Sequence, residues 1–359
     1  MNQNSVSKAF TLLRNSLHSK GMCSSTMLWF GLVLCFADFS LSLAEGQVVV
    51  GFSCIASDCS NVHAFLWKDN VMQDLGTLGG PNSYAYGINS TGKVVGNAEV
   101  SPGIQHSFLW QSGVMHDLGT LGGAQSNAAG INHWGQVAGS AQTPGGAWHA
   151  YIWSGGRMLD LGTLPGYGNS YAFGINDLAE VVGEAVASDG RFHAFIWSLG
   201  VMHDLGIVPG YVNSAANGIN NRGQVVGYAA VADGSLWDAL LWRSGTVREL
   251  DRLVGTDAIA NAIDDSGQVV GTAPDVDFNY HGFLLSHGRV VNLGDLPGGP
   301  ADMTNSYALG IDDQGHIVGY ADLAEGGSHA LLWREGVIQD LGTLGGPYSF
   351  GYAVVNHIQ

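Results

Sequence analysis

A five-residue segment, His-Ala-Phe-Leu-Trp, recurs along this chain and constrains its fold more than any other feature. It first occurs at His63–Trp67 and returns six times with small changes, at 106–110, 149–153, 193–197, 238–242, 281–285 and 329–333. The last residues of successive copies lie 43, 43, 44, 45, 43 and 48 positions apart. A fixed period of this size indicates a repeat protein, in which each unit packs against its neighbours.

Each repeat contains the pattern of four short strands, which the second repeat shows clearly. Strand A (Ser83–Asn89) is followed by a Ser-Thr-Gly turn and strand B (Lys93–Ala98), and a variable loop leads to strand C (His106–Trp110). A second tight turn then leads to strand D (Val114–Gly119). Strand C is apolar on both faces, so its sheet needs neighbours on both sides. Small four-stranded sheets that pack face to face around a ring are the blades of a β-propeller.

The number of copies predicts how the ring closes. Strands B, C and D occur seven times. The Gly-Ile-Asn pattern of strand A occurs six times, twice in edited form (262–264 and 310–312), and is missing before the first strand B. A partial strand A follows the last linker, at 349–356. We therefore predict an all-β, seven-bladed β-propeller of four-stranded antiparallel blades, in which the C-terminal strand completes the first blade and removes the open edge. An open solenoid is the alternative, but it would need capping repeats rather than a split one.

The predicted propeller occupies residues 45–359, and its blades follow the repeats. Their predicted bounds are 46–76 plus 349–356, 83–119, 126–162, 170–206, 214–251, 258–294 and 306–342.

Residues 1–44 do not carry the repeat and have the layout of a secretory signal. Basic residues precede an apolar run at 27–37, and small residues stand at Ser42 and Ala44. The apolar run is too short to span a bilayer as a helix. We predict cleavage after Ala44 and a secreted, periplasmic or cell-surface protein without a membrane span. The alternatives are translation from Met22 and a leader that stays attached.

Two cysteines, Cys54 and Cys59, remain after the leader. A close pair in an exported protein predicts a local disulfide, with two free thiols as the alternative.

The charge balance excludes one class of partner. The chain has 13 Lys plus Arg against 30 Asp plus Glu, a net charge of −17. Nucleic acid would be repelled at long range, so we predict no nucleic-acid binding. A neutral or cationic partner fits this charge better.

The repeated motifs resemble the extracellular repeat family named for His-Ala-Phe, the HAF repeat family. The matching segments are Asp74–Gly80, Tyr86–Asn89, Val94–Gly96 and His63–Trp67, which recur through residues 46–356. The resemblance implies export and a β-propeller-like array. It implies no agreed activity, so no catalytic residue is carried over from it.

A histidine begins strand C in six repeats, and we interpret it as part of the framework rather than as a metal ligand. A residue that nearly every blade contains is needed by every blade, and neighbouring copies would lie a blade apart, too far to share a metal ion. These histidines are His63, His106, His149, His193, His281 and His329. A histidine at this position can instead hydrogen-bond to a nearby loop and fix it.

The positions at which the repeats differ are better candidates for function. Blades 3 to 6 carry an aromatic residue just before strand C, and the linkers into blades 4 and 5 contain Pro-Gly-Tyr. Because the B–C loops and D–A linkers open on the same face, we predict that six rings gather there as a ligand-binding site: Trp148, Tyr167, Phe192, Tyr211, Trp237 and Tyr280. Such rings suit a glycan, a small apolar molecule or a protein. The alternative is that they only cover loop cores.

The same sector is acidic, through Asp189, Asp233, Asp238, Asp275 and Asp277. The alternating oxygen side chains of Asp275, Asp277 and Asn279 match part of a calcium loop, although the downstream Gly and Glu of an EF-hand are missing. We expect no other cofactor. If a catalytic group exists, Asp238, which replaces the histidine in blade 5, together with His193 or His281 is the first candidate.

Three functions remain open at this stage. The first is an exported binding module whose ligand contacts the aromatic, acidic face of blades 3 to 6. The second is an enzyme of lyase or isomerase type that acts on that face or in the central channel. The third is a purely structural surface protein, which buried rings would favour.

Overall fold

The computed structural model describes residues 46–232, 234–250, 257–296, 305–324, 326–356 and 358. The predicted leader at 1–44 and Asp233 of the acidic sector lie outside these residues. The described residues form 28 β-strands in seven four-stranded antiparallel sheets and contain no helix. In this part of the chain, therefore, no helix is long and apolar enough to cross a membrane.

The seven sheets are the blades, and the strands follow one another within each blade. Blade 1 contains β1 (Gln47–Cys54), β2 (Val62–Lys68), β3 (Val71–Asp74) and the last strand, β28 (Ser349–Asn356). Blade 2 contains β4 (Ser83–Ile88), β5 (Val94–Ser101), β6 (Ile104–Gln111) and β7 (Val114–Asp117). Blade 3 contains β8 (Ser126–Ile131), β9 (Val137–Gln142), β10 (Trp148–Ser154) and β11 (Arg157–Asp160). Blade 4 contains β12 (Asn169–Ile175), β13 (Val181–Val186), β14 (Phe192–Ser198) and β15 (Val201–Asp204).

The remaining three blades repeat this order. Blade 5 contains β16 (Asn213–Ile219), β17 (Val225–Ala230), β18 (Trp237–Arg243) and β19 (Thr246–Glu249). Blade 6 contains β20 (Ile259–Ile263), β21 (Val269–Pro274), β22 (Tyr280–Ser286) and β23 (Arg289–Asn292). Blade 7 contains β24 (Ser306–Ile311), β25 (Ile317–Asp322), β26 (Ser328–Arg334) and β27 (Val337–Asp340).

The C-terminal strand closes the ring. Strand β28 pairs with β1 from Gln47↔Asn356 to Ser53↔Ser349, which makes it the innermost strand of blade 1. It also contacts β24 and β4, the innermost strands of the two neighbouring blades. The predicted seven-bladed propeller and its closure are therefore confirmed. The predicted disulfide is confirmed too, because Cys54 at the end of β1 is bonded to Cys59.

The hydrophobic core lies between the blades. One cluster joins Val48 and Ala64 of blade 1 to Phe108 and Trp110 of blade 2, all of them buried. Burial of each large side chain contributes roughly 1.5–3 kcal/mol, so strand C stabilises the contact between blades as well as its own sheet. This placement explains why strand C is apolar on both faces.

A glycine in strand B allows the inner strands to approach closely. A Cβ atom on Gly183 would overlap the carbonyl oxygen of Tyr171 in the paired strand A. The equivalent glycines of the other six blades meet the same obstacle, which accounts for the repeated Val-Val-Gly pattern.

Candidate binding face at the aromatic mouth of the channel

A β-bulge in the innermost strand of each blade directs one side chain into the central channel. The pairing of strand A with strand B skips one residue in every blade, and a bulge of this kind re-aims the extra residue. The seven bulged residues are Tyr86, Ala129, Phe173, Asn217, Asn261, Leu309 and Tyr352. All seven line cavities along the channel. Because they differ from blade to blade, they give the channel a chemically uneven wall.

At one end of the channel, which we call the aromatic mouth, four rings surround a cavity of about 370 Å³. The rings belong to Tyr86, Tyr171, Phe173 and Tyr352. The cavity is also lined by Leu309 and by the polar side chains of Asn97, Asn127 and Ser140. Apolar walls with a few polar groups are typical of small-molecule sites.

Some of these polar groups are committed to the fold and others are free. Asn97 accepts a hydrogen bond from the Ala128 amide at 2.9 Å, and Ser140 accepts one from the Ala172 amide at 3.1 Å, so both join neighbouring blades. Within the described residues, the Asn127 amide and the Tyr352 hydroxyl form no hydrogen bond. They can therefore donate to a ligand without loss of an internal contact.

Burial raises the pKa of Tyr86 well above its ordinary value, and the nearby Tyr352 and Tyr84 add to this effect. The Tyr86 hydroxyl therefore stays protonated and can act as a donor in the cavity.

An aromatic band continues from the mouth across blades 6, 7 and 1. Its ring centroids are 6.3, 4.6, 4.7 and 5.0 Å apart along the series Tyr280, Tyr307, Tyr320, Phe350 and Phe52. Phe52 then lies 5.5 Å from Tyr352 of the mouth. Two of these contacts, Tyr307–Tyr320 and Phe52–Phe350, join directly opposite residues of strands A and B.

The six aromatic residues predicted from the loops lie at the edge of this surface and contact strand residues. Trp148 lies 6.1 Å from Tyr171, and Tyr280 lies 6.3 Å from Tyr307. Phe192 and Trp237 both contact Tyr228, at 6.3 and 4.8 Å. Five of the six are half-buried, and Tyr280 is 39% exposed. Their role in ligand binding stays a prediction.

The two linker tyrosines pack more locally than the other four residues. Tyr167 packs against the cluster around Leu164 and lies 5.6 Å from the His193 ring. The hydroxyl of Tyr211 donates to the Asp238 carboxylate. These contacts fix the Pro-Gly-Tyr linkers against their own blades.

The three candidate catalytic residues have separate partners. Asp238 is 4% exposed and is held by Tyr211, and His193 bonds to Asp204 at 2.8 Å. His281 lies between Asp275 at 3.1 Å and Asp295 at 3.2 Å. Among the hydrogen bonds of the described residues, none joins two of these three candidates, so the geometry does not bring them together as a catalytic pair.

The repeated histidine of strand C bonds to the repeated aspartate of strand D in five blades. The Nδ1–Oδ distances are 2.8 to 2.9 Å in the pairs His63–Asp74, His106–Asp117, His149–Asp160, His193–Asp204 and His329–Asp340. Each aspartate also accepts the amide of the glycine two residues later, as Asp74 does from Gly76 at 2.7 Å. The pair therefore fixes the start of the linker to the next blade.

The predicted calcium residues form a compact loop. The Asp275 carboxylate accepts hydrogen bonds from the amides of Asp277 and Asn279 at 2.8 and 3.0 Å, and it also contacts His281. In the described part of the chain, no three His, Cys, Asp or Glu side chains converge closely enough to hold a metal ion. Calcium binding by Asp275, Asp277 and Asn279 stays a prediction.

A single carboxylate, Glu184, lies between blades 4 and 5 among aromatic rings. It is directly opposite Tyr171 in the sheet and is half-buried, and its carboxylate forms no hydrogen bond within the described residues. Burial raises its pKa to about 7. Burial raises the pKa of Tyr228 to about 12, with a further contribution from the Glu184 charge. Burial and then Glu184 likewise raise the pKa of Tyr171, so both tyrosines lie near the carboxylate.

Sequence reasoning missed Tyr171, Glu184, Tyr228 and the bulged residues. A signal for them was present in the sequence. The two x positions of Ser-x-Ala-x-Gly in strand A, and the residue just after the glycine of strand B, vary from repeat to repeat. Those positions vary about as much as the loop residue before strand C, but the direction of the strand A side chains depends on the bulge.

The opposite end of the channel, which we call the polar mouth, is a second cavity of about 390 Å³. Asn89, Asn132, Asn176 and Asn220 each donate from Nδ2 to a carbonyl of the next blade, at 2.8 to 3.1 Å. The next residues form a second set of contacts, as in the bond from the Asp177 amide to Asn221 at 2.8 Å. This mouth is a hydrogen-bonded belt that joins blade to blade.

No family model matches the chain, and no curated protein matches its sequence. Solved structures match its fold. A puromycin-hydrolysing peptidase from Mycobacterium tuberculosis is 10% identical with a TM-score of 0.56, over 84% of this chain and 53% of that one. An acylaminoacyl peptidase from Pyrococcus horikoshii is 10% identical with a TM-score of 0.54, over 84% of this chain and 51% of that one. This chain thus spans about half the length of both peptidases.

The β-propeller domain of the Trilobed protease from Pyrococcus furiosus is 11% identical, with a TM-score of 0.55 over 80% of this chain and 88% of that domain. That domain is described as having an open velcro topology. At these identities the likeness shows a shared propeller fold and nothing about activity.

Proposed function

We propose that this protein is an exported binding module that holds a neutral glycan at the aromatic mouth and on the adjoining loop face of blades 3 to 6. The observation that carries the proposal is the cavity of about 370 Å³ bounded by four aromatic rings. Aromatic rings pack against the apolar faces of sugar rings, and hydroxyl and amide groups bond to their edges. The unbonded Asn127 amide and Tyr352 hydroxyl supply such groups.

The export part of the proposal has independent support. The Cys54–Cys59 disulfide is of the kind that persists in oxidising compartments. The signal-like leader and the resemblance to the HAF repeat family favour the same location.

A glycan array followed by titration calorimetry with the best-bound glycan tests the proposal. We expect the double variant Phe173→Ala, Tyr352→Ala to weaken that binding about tenfold or more, because each ring loses its contact with the ligand. The double variant Trp148→Ala, Trp237→Ala tests whether the ligand extends onto the loop face, and a smaller loss of affinity is expected.

Trp134 provides the matched control, because it is an aromatic residue at the polar mouth and is 70% exposed. Trp134→Ala should leave glycan affinity unchanged. Equal affinity in the wild type and the Phe173, Tyr352 variant would contradict the mouth as the site. A blank glycan array, with no thermal stabilisation by small apolar molecules, would contradict a ligand-binding function and favour a structural surface protein.

A further inference from the structure

We propose that Tyr171 and Glu184 of blade 4, together with Tyr228 of blade 5, form a subsite for an organic cation, such as a primary or quaternary ammonium group. The inference rests on the proposed function, because it assigns a ligand class to part of the same face. It adds a charged group beside the aromatic mouth, whose own lining side chains are neutral.

Glu184 lacks the structural role that polar side chains have at the equivalent position of the two preceding blades. It occupies the place in strand B that Asn97 holds in blade 2 and Ser140 holds in blade 3. Asn97 and Ser140 each accept a hydrogen bond from a backbone amide of the next blade. Glu184 makes no such bond to blade 5, so its carboxylate is not used to join the blades.

Within the part of the chain that the structure describes, no cation forms an ion pair with the Glu184 carboxylate. Among the ion pairs of the described residues, the nearest cation along the chain, Arg191, pairs with Asp189 at 2.7 Å rather than with Glu184. A half-buried carboxylate without a partner is costly, and this cost is offset when a cation binds. The net charge of −17 favours the approach of such a cation.

Aromatic rings beside the carboxylate favour an organic cation over a hydrated metal ion. Tyr171 is the cross-strand neighbour of Glu184 and lies 6.1 Å from Trp148. Tyr228, in β17 of blade 5, lies 4.8 Å from Trp237. Ammonium groups are attracted to aromatic rings, and quaternary ones are weakly hydrated, so they lose little hydration energy there.

The ionisation of Glu184 makes this subsite sensitive to pH near neutrality. Burial raises the pKa of Glu184 to about 7, so it carries its full charge only above that pH. The titratable groups that face it are Tyr171 from β12 and Tyr228 from β17, and β14 places Ala194 opposite it. Both tyrosines stay neutral in this range because their pKa values are raised, which leaves Glu184 as the titrating group.

Titration of choline chloride by calorimetry tests the inference, with the neutral carbon analogue neohexyl alcohol as the comparison. We expect the wild type to bind choline at pH about 8.5 and to bind the alcohol about tenfold more weakly or not at all. Binding of choline should weaken about tenfold or more at pH about 5.5, where Glu184 is protonated. Glu184→Gln should lose about tenfold or more in choline affinity at the higher pH.

Glu180→Gln is the matched control, because it removes one negative charge from the same blade at the polar mouth, where Glu180 bonds to Asn176 at 2.7 Å. It should leave choline affinity unchanged. Equal binding of choline and the alcohol, equal affinity in Glu184→Gln and the wild type, or no choline binding at all would overturn the inference.

The proposed glycan site is tested separately in the same proteins. Glycan binding without choline binding would overturn the cation subsite and leave the proposed function intact. Choline binding that depends on Glu184, together with a blank glycan array, would support the subsite and overturn the glycan assignment.

Discussion

The two mouths of the channel are built from the same strands but differ in how regularly their residues repeat. At the polar mouth, strand A ends in asparagine in blades 2 to 5, and each Nδ2 bonds to the next blade in the same way. At the aromatic mouth, the bulged residue of the same strand is Tyr86, Ala129, Phe173 or Asn217 in those four blades. The two ends therefore meet different requirements.

The repeated residues of the polar mouth serve to join the blades. Each blade must meet its neighbour in the same geometry, so one side chain at one position serves all the interfaces. The bulged positions are less constrained. Asn217 and Asn261 bond to carbonyls of the next blade at 3.0 and 2.8 Å, whereas the other five form no such bond among the described residues and line the channel. Variation there is compatible with the fold and is available for ligand recognition.

The largest effect is expected from a glycine on which both mouths depend. In Gly183→Ala, the new Cβ would overlap the Tyr171 carbonyl and force strands A and B of blade 4 apart. We expect a loss of more than about 4 kcal/mol in the free energy of unfolding, measured by denaturant titration. Gly168→Ala is the control, since a Cβ there meets no atom within 4 Å. Similar stability of the two variants would show that the close approach is not required.

A pair of asparagine variants tests the division between the mouths directly. Asn220 is 4% exposed, bonds to the Asp264 carbonyl at 2.8 Å and accepts the Gln224 amide at 3.0 Å. Asn220→Ala should therefore lower the free energy of unfolding by about 2–3 kcal/mol, without a change in ligand affinity. Asn127→Ala should change stability by less than about 0.5 kcal/mol and weaken glycan binding. The reverse pattern would contradict the assignment of the two ends.

The repeats made the fold predictable, because seven copies of strands B, C and D and a displaced strand A leave few arrangements. The face that the loops share could also be deduced from the up-and-down order of the strands. Trp148, Phe192 and Trp237 were predicted in this way. Each contacts a strand residue, and their role in ligand binding stays a prediction.

The channel wall could not be deduced, because its residues depend on a bulge. Strict alternation would place Tyr84 and Tyr86 of strand A on the same face of the sheet. The register shift between Ala85 and Gly87 instead leaves Tyr86 unpaired and directed into the channel. Glu184 was missed for a different reason. Asn97 and Ser140 bond to the next blade and Glu184 does not, and the sequence alone does not show this difference in hydrogen bonding.

Neutralisation of Glu184 should stabilise the protein at high pH only. Because burial raises the pKa from 4.5 to about 7, the folded protein binds more protons than the unfolded chain between these values. Stability therefore falls as pH rises through this window. We expect Glu184→Gln to gain about 1–3 kcal/mol in the free energy of unfolding at pH about 8.5 and nothing at pH about 4.

Glu180→Gln is the control for this experiment, because Glu180 bonds to Asn176 at 2.7 Å as part of the polar mouth. It should show no gain at high pH. Parallel pH profiles of stability in the wild type and Glu184→Gln would show that Glu184 does not ionise near neutrality.

The smallest effect concerns His281 of blade 6, which contacts Asp275 and Asp295 instead of forming the His–Asp pair seen in five other blades. Burial lowers its pKa, but the Asp275 and Asp295 carboxylates raise it more, so the net pKa lies above 6.5. Its contribution to stability is therefore fully present below 6.5 and is lost as pH rises through the higher folded value. Two-dimensional NMR of the imidazole rings should show His281 titrating above 6.5, and Asp295→Asn should lower that midpoint. A midpoint at or below 6.5 in the wild type would mean that the two carboxylates do not stabilise the charged ring, and that blade 6 holds its loop by a different contact from the other blades.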